Sequence, residues 1–292
     1  MLLALEFQQV AVAGPATTLQ RQLVWQPSKL SQGYPVLFQL QTPATTQAVS
    51  AVWLGHEIVF SRATRNTTTS GMWYGLAGVP AETVPGTYEL AITETHSPGT
   101  PVDIRTKIKV ARALFPKVTV KVPKQFTEPS AEQLSEISAD RDLKQKIFAT
   151  QSTQQQWAGA FVPPASAPIS DVFGTQRIFN GAVKGRPHEG LDYAVPAGTE
   201  VHAVNHGTVI LARQLFFEGG CVVVDHGFGL LSLYLHLSEI SVKEGEEVAS
   251  GQVLGLSGGT GRASGPHLHL AIRWQGVYLN PAILMKLKVP GD

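Results

Sequence analysis

The chain has little cysteine and no long apolar run. One cysteine, Cys221, stands among 292 residues, which excludes an intrachain disulfide framework and a cysteine-rich zinc cluster. Its valine neighbours, 222–224, predict a buried strand thiol. No apolar stretch approaches the roughly 18 residues of a membrane-spanning helix. The apolar start, residues 1–5, is interrupted by Glu6 before it reaches the roughly 7 residues of a secretory core.

Charge is scarce as well. Charged residues make up 15% of the chain, against an average of about 25%, and 23 basic residues face 22 acidic ones. There is no basic excess to neutralise phosphates and no base-reading motif, so nucleic acid is excluded as a partner. The hydrophobic fraction of 43% is that of a globular protein, not a disordered one. At about 150 residues per domain, the length predicts two domains.

Residues 1–112 show an all-β pattern. Short runs rich in β-branched and aromatic residues, such as 34–40, 48–60 and 102–110, alternate with turn signals. About seven runs of this kind over roughly a hundred residues predict an immunoglobulin-like β-sandwich. No titratable cluster stands out here, so we interpret this half as a spacer or docking module.

Residues 113–168 predict a proline-rich connector with one helix. Ser130 followed by Gln133 is the signature of a capping box, and apolar residues then recur at helical spacing up to Ala149. Prolines flank this segment on both sides, which favours a semi-rigid connection.

Residues 169–292 consist of short β-runs punctuated by glycine, which predict a compact antiparallel β-sheet domain. Histidine concentrates here. His56 and His96 lie in the first half of the chain, whereas the other seven of nine histidines follow residue 187. Imidazoles serve as metal ligands and proton carriers, so this domain is the place to look for chemistry.

Two short motifs carry that chemistry. In His188-Glu189-Gly190-Leu191-Asp192, the glycine and nearby prolines favour a turn entering a strand. In His267-Leu268-His269, strand geometry points both imidazoles to one face. Two histidines and one carboxylate form the three-ligand set of catalytic zinc, with one coordination position left open. The competing interpretation is a surface His beside a turn carboxylate and two edge-strand histidines facing water.

The spacing leaves open which histidine of the pair binds metal. The other, together with His236 on the polar face of an alternating strand over 231–237, would remain near the metal.

The stretch from Phe173 to Leu284 resembles the M23 zinc metallopeptidases, the lysostaphin-type or LytM-like family, which cut peptide bonds in bacterial peptidoglycan. The matching motifs, in order, are His188-Glu189-Gly190-Leu191-Asp192, Tyr234-Leu235-His236-Leu237-Ser238, Gly258-Gly259-Thr260-Gly261 and Gly265-Pro266-His267-Leu268-His269. The resemblance implies that His188, Asp192 and His269 bind one Zn²⁺ per chain. It also implies that His236 and His267 are the catalytic pair.

The function that the resemblance implies is a zinc-dependent endopeptidase acting on cross-links or stem peptides of peptidoglycan. We therefore expect an exported protein of the periplasm or cell envelope, with peptidoglycan peptides as its partners and its signal peptide already trimmed. Arg177 and Asn180, upstream of His188, are expected to bind substrate in the cleft.

Two alternatives compete with this interpretation. A noncatalytic or latent M23-like wall-binding protein could regulate another hydrolase, but such proteins lose site residues and this chain keeps all five. A biotinyl- or lipoyl-carrier-like hairpin is suggested by residues 242–254. That hairpin lacks a lysine at an apolar turn tip, where the cofactor would be attached.

Overall fold

The computed structural model describes residues 8–12, 21–63, 70–150, 152–181 and 183–290. The chain divides into two compact units. The first comprises residues 1–113, 158–160 and 286–292, and the second comprises residues 114–157 and 161–285. Most of the segment predicted as a connector is therefore built into the second unit. No helix in the described ranges has the length and apolarity needed to cross a membrane.

Within the described residues, the first unit contains ten strands. They are β1 (Gln8–Val12), β2 (Arg21–Gln26), β3 (Leu30–Ser31), β4 (Pro35–Pro43), β5 (Thr46–Trp53), β6 (His56–Val59), β7 (Ser61–Arg62), β8 (Ser70–Gly78), β9 (Gly86–His96) and β10 (Val102–Ala111). They form two five-stranded sheets, ordered β1-β2-β4-β8-β7 and β3-β10-β9-β5-β6.

The two sheets pack face to face because their strands alternate in polarity. In β5, Val49, Ala51 and Trp53 are buried while the residues between them are exposed. Trp53 meets Phe38 of the other sheet edge to face at 5.9 Å and donates its indole N–H to the Gly78 carbonyl at 3.0 Å. The predicted mainly β class, with a sandwich in this unit, is confirmed.

A late segment of the chain completes the first unit. The Gln26 side chain, 1% exposed, donates to the Lys288 carbonyl at 2.9 Å and accepts from the Lys288 N–H at 2.8 Å. Both hydrogen-bonding groups of this buried amide are thereby satisfied.

The second unit contains the remaining elements. Its strands are β11 (Lys117–Val120), β12 (Ile169–Asp171), β13 (Gln176–Phe179), β14 (Val183–Pro187), β15 (Gly190–Tyr193), β16 (Glu200–His202), β17 (Gly207–Leu215), β18 (Gly219–Asp225), β19 (Leu230–Leu237), β20 (Glu239–Ile240), β21 (Glu247–Val248), β22 (Val253–Leu256), β23 (Leu268–Trp274) and β24 (Val277–Leu279). Its helices are a 3₁₀ turn (Lys124–Phe126), α1 (Ala131–Ala149) and α2 (Pro281–Leu284).

An antiparallel eight-stranded sheet dominates this unit, in the order β12-β15-β23-β19-β18-β17-β21 with β24 added to β23. Every residue of β18 is buried, including Cys221 as predicted. Two three-stranded sheets flank it, ordered β11-β13-β14 and β16-β22-β20.

Helix α1 covers part of the large sheet. The predicted capping box is present: the Gln133 N–H donates to Ser130 Oγ and the Ser130 N–H donates to Gln133 Oε1. Leu143 and Ile147 pack against the apolar cluster on the sheet, which contains Leu211, Leu215, Cys221, Val223, Leu231, Leu233 and Ala271. Hydrophobic burial therefore holds this helix on the large sheet.

One buried histidine of the large sheet lies apart from the candidate site. His226 Nδ1 donates to the His206 carbonyl at 2.6 Å, and its Nε2 lies 2.7 Å from Ser232 Oγ. Ser232 Oγ lies 3.0 Å from the Tyr234 hydroxyl, which accepts from the Val204 N–H. Burial lowers the pKa of His226 to about 4, so the folded chain holds this imidazole neutral.

This buried imidazole predicts acid sensitivity. The unfolded chain binds a proton at His226 as the pH falls through 6.5, whereas the folded chain does so only near 4. The free energy of unfolding should therefore fall between these pH values, by about 1–2 kcal/mol from roughly pH 7 to pH 5. Urea unfolding of wild type and His226→Gln, with chelator present throughout, should show that extra loss in wild type alone. An identical pH dependence in both proteins would contradict it.

Candidate active site

The pairing of β15 with β23 builds the centre of the site. In that antiparallel pair Asp192 stands opposite His269. Gly190 permits the close approach of the two strands: a Cβ at that position would collide with the Leu270 carbonyl oxygen and lie 2.6 Å from the His269 ring. His188 precedes β15 by two residues and turns its ring back toward Asp192.

Three side-chain atoms converge at this point. His188 Nε2 lies 3.0 Å from Asp192 Oδ1 and 2.9 Å from His269 Nδ1, and His269 Nδ1 lies 2.8 Å from Asp192 Oδ1. All three residues are buried. His188 Nδ1 donates to the Val172 carbonyl at 2.9 Å, so in the neutral ring Nε2 carries a lone pair. The three atoms can each donate an electron pair, and they lie within 3.0 Å of one another.

The protonation states of this group suit a divalent cation. Burial opposes ionisation of Asp192, but the adjacent imidazoles of His188 and His269 hold the pKa of its carboxyl far below the ordinary value. Burial lowers the pKa of His269 to about 4, which keeps that imidazole neutral. Ionised carboxylate and neutral imidazole are the forms that bind metal. Two nitrogens and one oxygen are a donor set that zinc accepts with one position open.

Arg177 occupies the far side of the carboxylate. Its guanidinium pairs with Asp192 Oδ2 through Nη2 and with Asp171 Oδ2, at 2.9 Å from Nε and 2.6 Å from Nη2. Asp171 Oδ2 lies 3.6 Å from His188 Nδ1. Arg177 therefore fixes the outer oxygen of Asp192, and the inner oxygen is left to face the two histidines.

A second pair of imidazoles lies beside the first group. The His236 and His267 rings are 4.7 Å apart, and His236 lies 6.1 Å from His269. His236 Nδ1 donates to the Thr260 carbonyl at 2.8 Å and His267 Nδ1 to the Gly265 carbonyl at 2.9 Å. In the neutral rings both Nε2 atoms are therefore proton acceptors.

The backbone at His236 is unusual. Its φ of +66° places a non-glycine residue in the left-handed region, a conformation that is found preferentially at functional sites. Burial lowers the pKa of His236 to about 3, and the charges of His267 and His269 act in the same direction. Its imidazole is neutral at physiological pH.

A cavity of about 440 Å³ opens onto these groups. His188, His236 and His269 line it together with Arg177, and one wall is formed by α1. Asp140 of α1 accepts a hydrogen bond from the Phe216 N–H at 2.7 Å, and Lys144 pairs with Glu218. No sequence signal predicted this wall, because α1 contacts residues distant in the chain.

Asn180, expected in the cleft, is exposed and lies outside the lining of this cavity. Its φ is +52°, and its side chain accepts from the Val122 N–H at 3.0 Å and donates to the Val122 carbonyl at 3.1 Å. The amide thus fastens a turn to the segment before α1. Arg177 does line the cavity, with its guanidinium committed to two carboxylates.

Comparison with known proteins identifies the family of one part of the second unit. Residues 186–281 match the family model described as Peptidase family M23. These residues are a peptidase family M23 domain. The resemblance drawn from the motifs is confirmed. Peptidases of this family depend on zinc, which agrees with the converging His188, Asp192 and His269.

Two Vibrio cholerae proteins are among the relatives of this M23 domain. Peptidoglycan DD-endopeptidase ShyA is 41% identical over 149 residues, which is 51% of this chain and 32% of that protein. Peptidoglycan DD-endopeptidase ShyC is 37% identical over 113 residues, covering 39% and 26% respectively. The chain thus spans about a third or less of the length of these curated relatives.

A solved structure extends the likeness beyond the M23 domain. A putative peptidase M23 from Pseudomonas aeruginosa superposes with a TM-score of 0.64 at 28% identity, covering 88% of this chain and 95% of that one. The fold of both units therefore has a counterpart in one known structure.

The geometry predicts that His188 is needed for zinc binding and that His236 is not. His188→Ala removes one of the three converging atoms, so we expect protein without bound zinc. His236→Ala removes a ring outside that convergence, so we expect one zinc per chain to remain. Metal analysis after purification, with circular dichroism to verify folding, distinguishes the two. A zinc-free, folded His236→Ala protein would refute this prediction.

Arg177 predicts a measurable effect on metal affinity. Arg177→Gln releases Asp192 Oδ2, and the loss of such an outer partner weakens zinc binding by about 10- to 100-fold. Competition with a chromophoric chelator measures this affinity directly. Lys144→Gln is the matched control, since it breaks an ion pair in the same cavity with no contact to the three converging residues. Equal affinities in wild type and Arg177→Gln would show that the ion pair has no such role.

Proposed function

We propose that this protein is a zinc-dependent endopeptidase that hydrolyses peptide cross-links or stem peptides of bacterial peptidoglycan in the periplasm or cell envelope. The observation that carries the proposal is the arrangement of the M23 domain's cavity. Three metal-type ligand atoms converge within 3.0 Å of one another, and two further imidazoles lie beside them with their Nδ1 atoms on backbone carbonyls.

In this proposal His188, Asp192 and His269 hold the metal. A bound zinc ion supplies a water whose pKa falls to roughly 7 and an electrophile for the scissile carbonyl. The chain's own contribution is orientation. The Val172 carbonyl fixes the His188 ring, Arg177 fixes the Asp192 carboxylate, and the β15–β23 pairing fixes His269.

His236 and His267 carry the protons. Each donates Nδ1–H to a backbone carbonyl, which holds the ring in place and leaves Nε2 as the proton-accepting atom. The pair takes the proton from the attacking water and returns a proton to the amine that leaves. Positioned general acid–base groups of this kind contribute about 10²- to 10⁴-fold in rate.

The substrate class is supported by the relatives. ShyA and ShyC of Vibrio cholerae are named peptidoglycan DD-endopeptidases, so the first bond to test is one between D-amino-acid centres. A noncatalytic regulatory role is the weaker candidate, since all five site residues are present and assembled in one place.

Digestion of purified peptidoglycan tests the proposal. Full-length protein, chelator-treated protein and zinc-restored protein are compared, and the products are identified by mass spectrometry. We expect peptides to be released by the first and third samples only, with the new termini naming the bond. His236→Ala, loaded with zinc, is expected to release none. Absence of products from several wall types, with one zinc bound per chain, would overturn the proposal.

A further inference from the structure

Arg262 lies against two aromatic rings in the cavity wall. It belongs to the loop between β22 and β23, and its backbone N–H donates to the Phe217 carbonyl at 2.8 Å. The guanidinium carbon lies 4.5 Å from the Phe217 ring centre and 4.7 Å from that of Phe179. Both rings lie within cation–π distance of the guanidinium and restrict its position.

Four Arg and Lys side chains line the described cavity, and three of them already have polar partners. Arg177 pairs with Asp171 and Asp192, and Lys144 pairs with Glu218. Arg141 donates to Ser138 Oγ at 3.1 Å and lies near Asp142.

Arg262 is the exception. Within the described part of the chain its guanidinium makes contacts with rings but no hydrogen bond or ion pair. Five N–H donors are therefore available at the edge of the group.

Arg262 is a partly desolvated cation near both acidic and basic side chains. Burial lowers the pKa of Arg262 below its ordinary value, Arg177 acts in the same direction, and the carboxylates of Glu218 and Glu189 oppose it. An arginine stays protonated despite such a shift. A partly desolvated cation without a direct counter-ion is stabilised by an incoming anion.

We propose that Arg262 binds a free carboxylate of the peptide substrate near the scissile amide, and so determines which wall peptides are cut. The inference rests on the proposed peptidase function. A planar guanidinium whose N–H groups have no polar partner among the described residues matches a carboxylate through two parallel hydrogen bonds. Arg262 lines the same cavity as His188, His236 and His269, so the bound carboxylate and the reacting amide belong to one peptide.

The test uses peptides that are identical except at one group. The amine-side product of the cleaved cross-link is prepared with the neighbouring carboxylate either free or converted to a carboxamide. Calorimetry measures the binding of both peptides to zinc-loaded, full-length protein. We expect wild type to bind the peptide with the free carboxylate about 10- to 100-fold more tightly, because a charge-assisted hydrogen-bonded pair forms only with that peptide.

Variants test whether the preference for the free carboxylate depends on Arg262. Arg262→Gln should lose the preference by weakening the binding of the carboxylate peptide alone. Arg262→Lys keeps a charge without the planar fork and should retain part of it. Arg141→Gln, the matched control, removes a mostly exposed charge from the same cavity and should leave the preference unchanged. If Arg262→Gln fails to fold, Arg262→Lys carries the comparison, with thermal unfolding measured for each.

Three results would overturn the inference: equal binding of both peptides by wild type, no binding of either, or an undiminished preference in folded Arg262→Gln and Arg262→Lys. Product binding requires no turnover. A carboxylate preference without peptidoglycan cleavage would therefore contradict the proposed hydrolysis and not this subsite. Cleavage without the preference would contradict the subsite alone.

Discussion

The hydrogen-bonded register between β15 and β23 is the constraint on which the site depends. It sets Asp192 opposite His269, and a shift by one residue would turn every side chain of β15 to the other face of the sheet. Gly190 keeps that register possible, because any larger residue would meet the Leu270 carbonyl. The neighbouring pairing of β19 with β23 then brings His236, at the end of β19, alongside. Sheet geometry thus assembles residues that are far apart in the chain.

The surrounding contacts orient the side chains that this register brings together. The Val172 carbonyl and Arg177 each bind one outward-facing atom of the group, so His188 Nε2 and Asp192 Oδ1 are left facing each other and His269 Nδ1. This is the usual role of outer partners around metal ligands. The segment from β12 to β13, which carries Val172 and Arg177, is therefore as much a part of the site as β15 and β23 are.

Local patterns were sufficient for much of this architecture. The capping box at Ser130 located the start of α1, and the two-residue period of strands placed His267 and His269 together. The choice between those two histidines came from family resemblance. In the structure His269 Nδ1 lies 2.8 Å from Asp192 Oδ1, while His267 Nε2 lies 3.8 Å from Asp192 Oδ2. That difference arises from rotamers and strand pairing, which no spacing rule contains.

Other features depend on contacts between distant parts of the chain. Asp140 meets Phe216 across 76 residues and Lys144 meets Glu218 across 74, so the helix predicted as part of a connector forms a cavity wall instead. The setting of Arg262 likewise depends on Phe179 and Phe217, two rings distant from it in the sequence. Asn180 was selected for its position before His188, yet its backbone conformation directs its amide to Val122.

The pairing of Gln26 with Lys288 has a consequence for biosynthesis. These residues are separated by 262 positions, and the whole M23 domain is encoded between them. A ribosome that has finished the ten strands of the sandwich has not yet made the backbone groups that satisfy the buried Gln26 amide. The first unit therefore reaches its final set of hydrogen bonds only after the catalytic half has been synthesised. A chain truncated after α2 would lose stability in the sandwich, far along the sequence from the deletion.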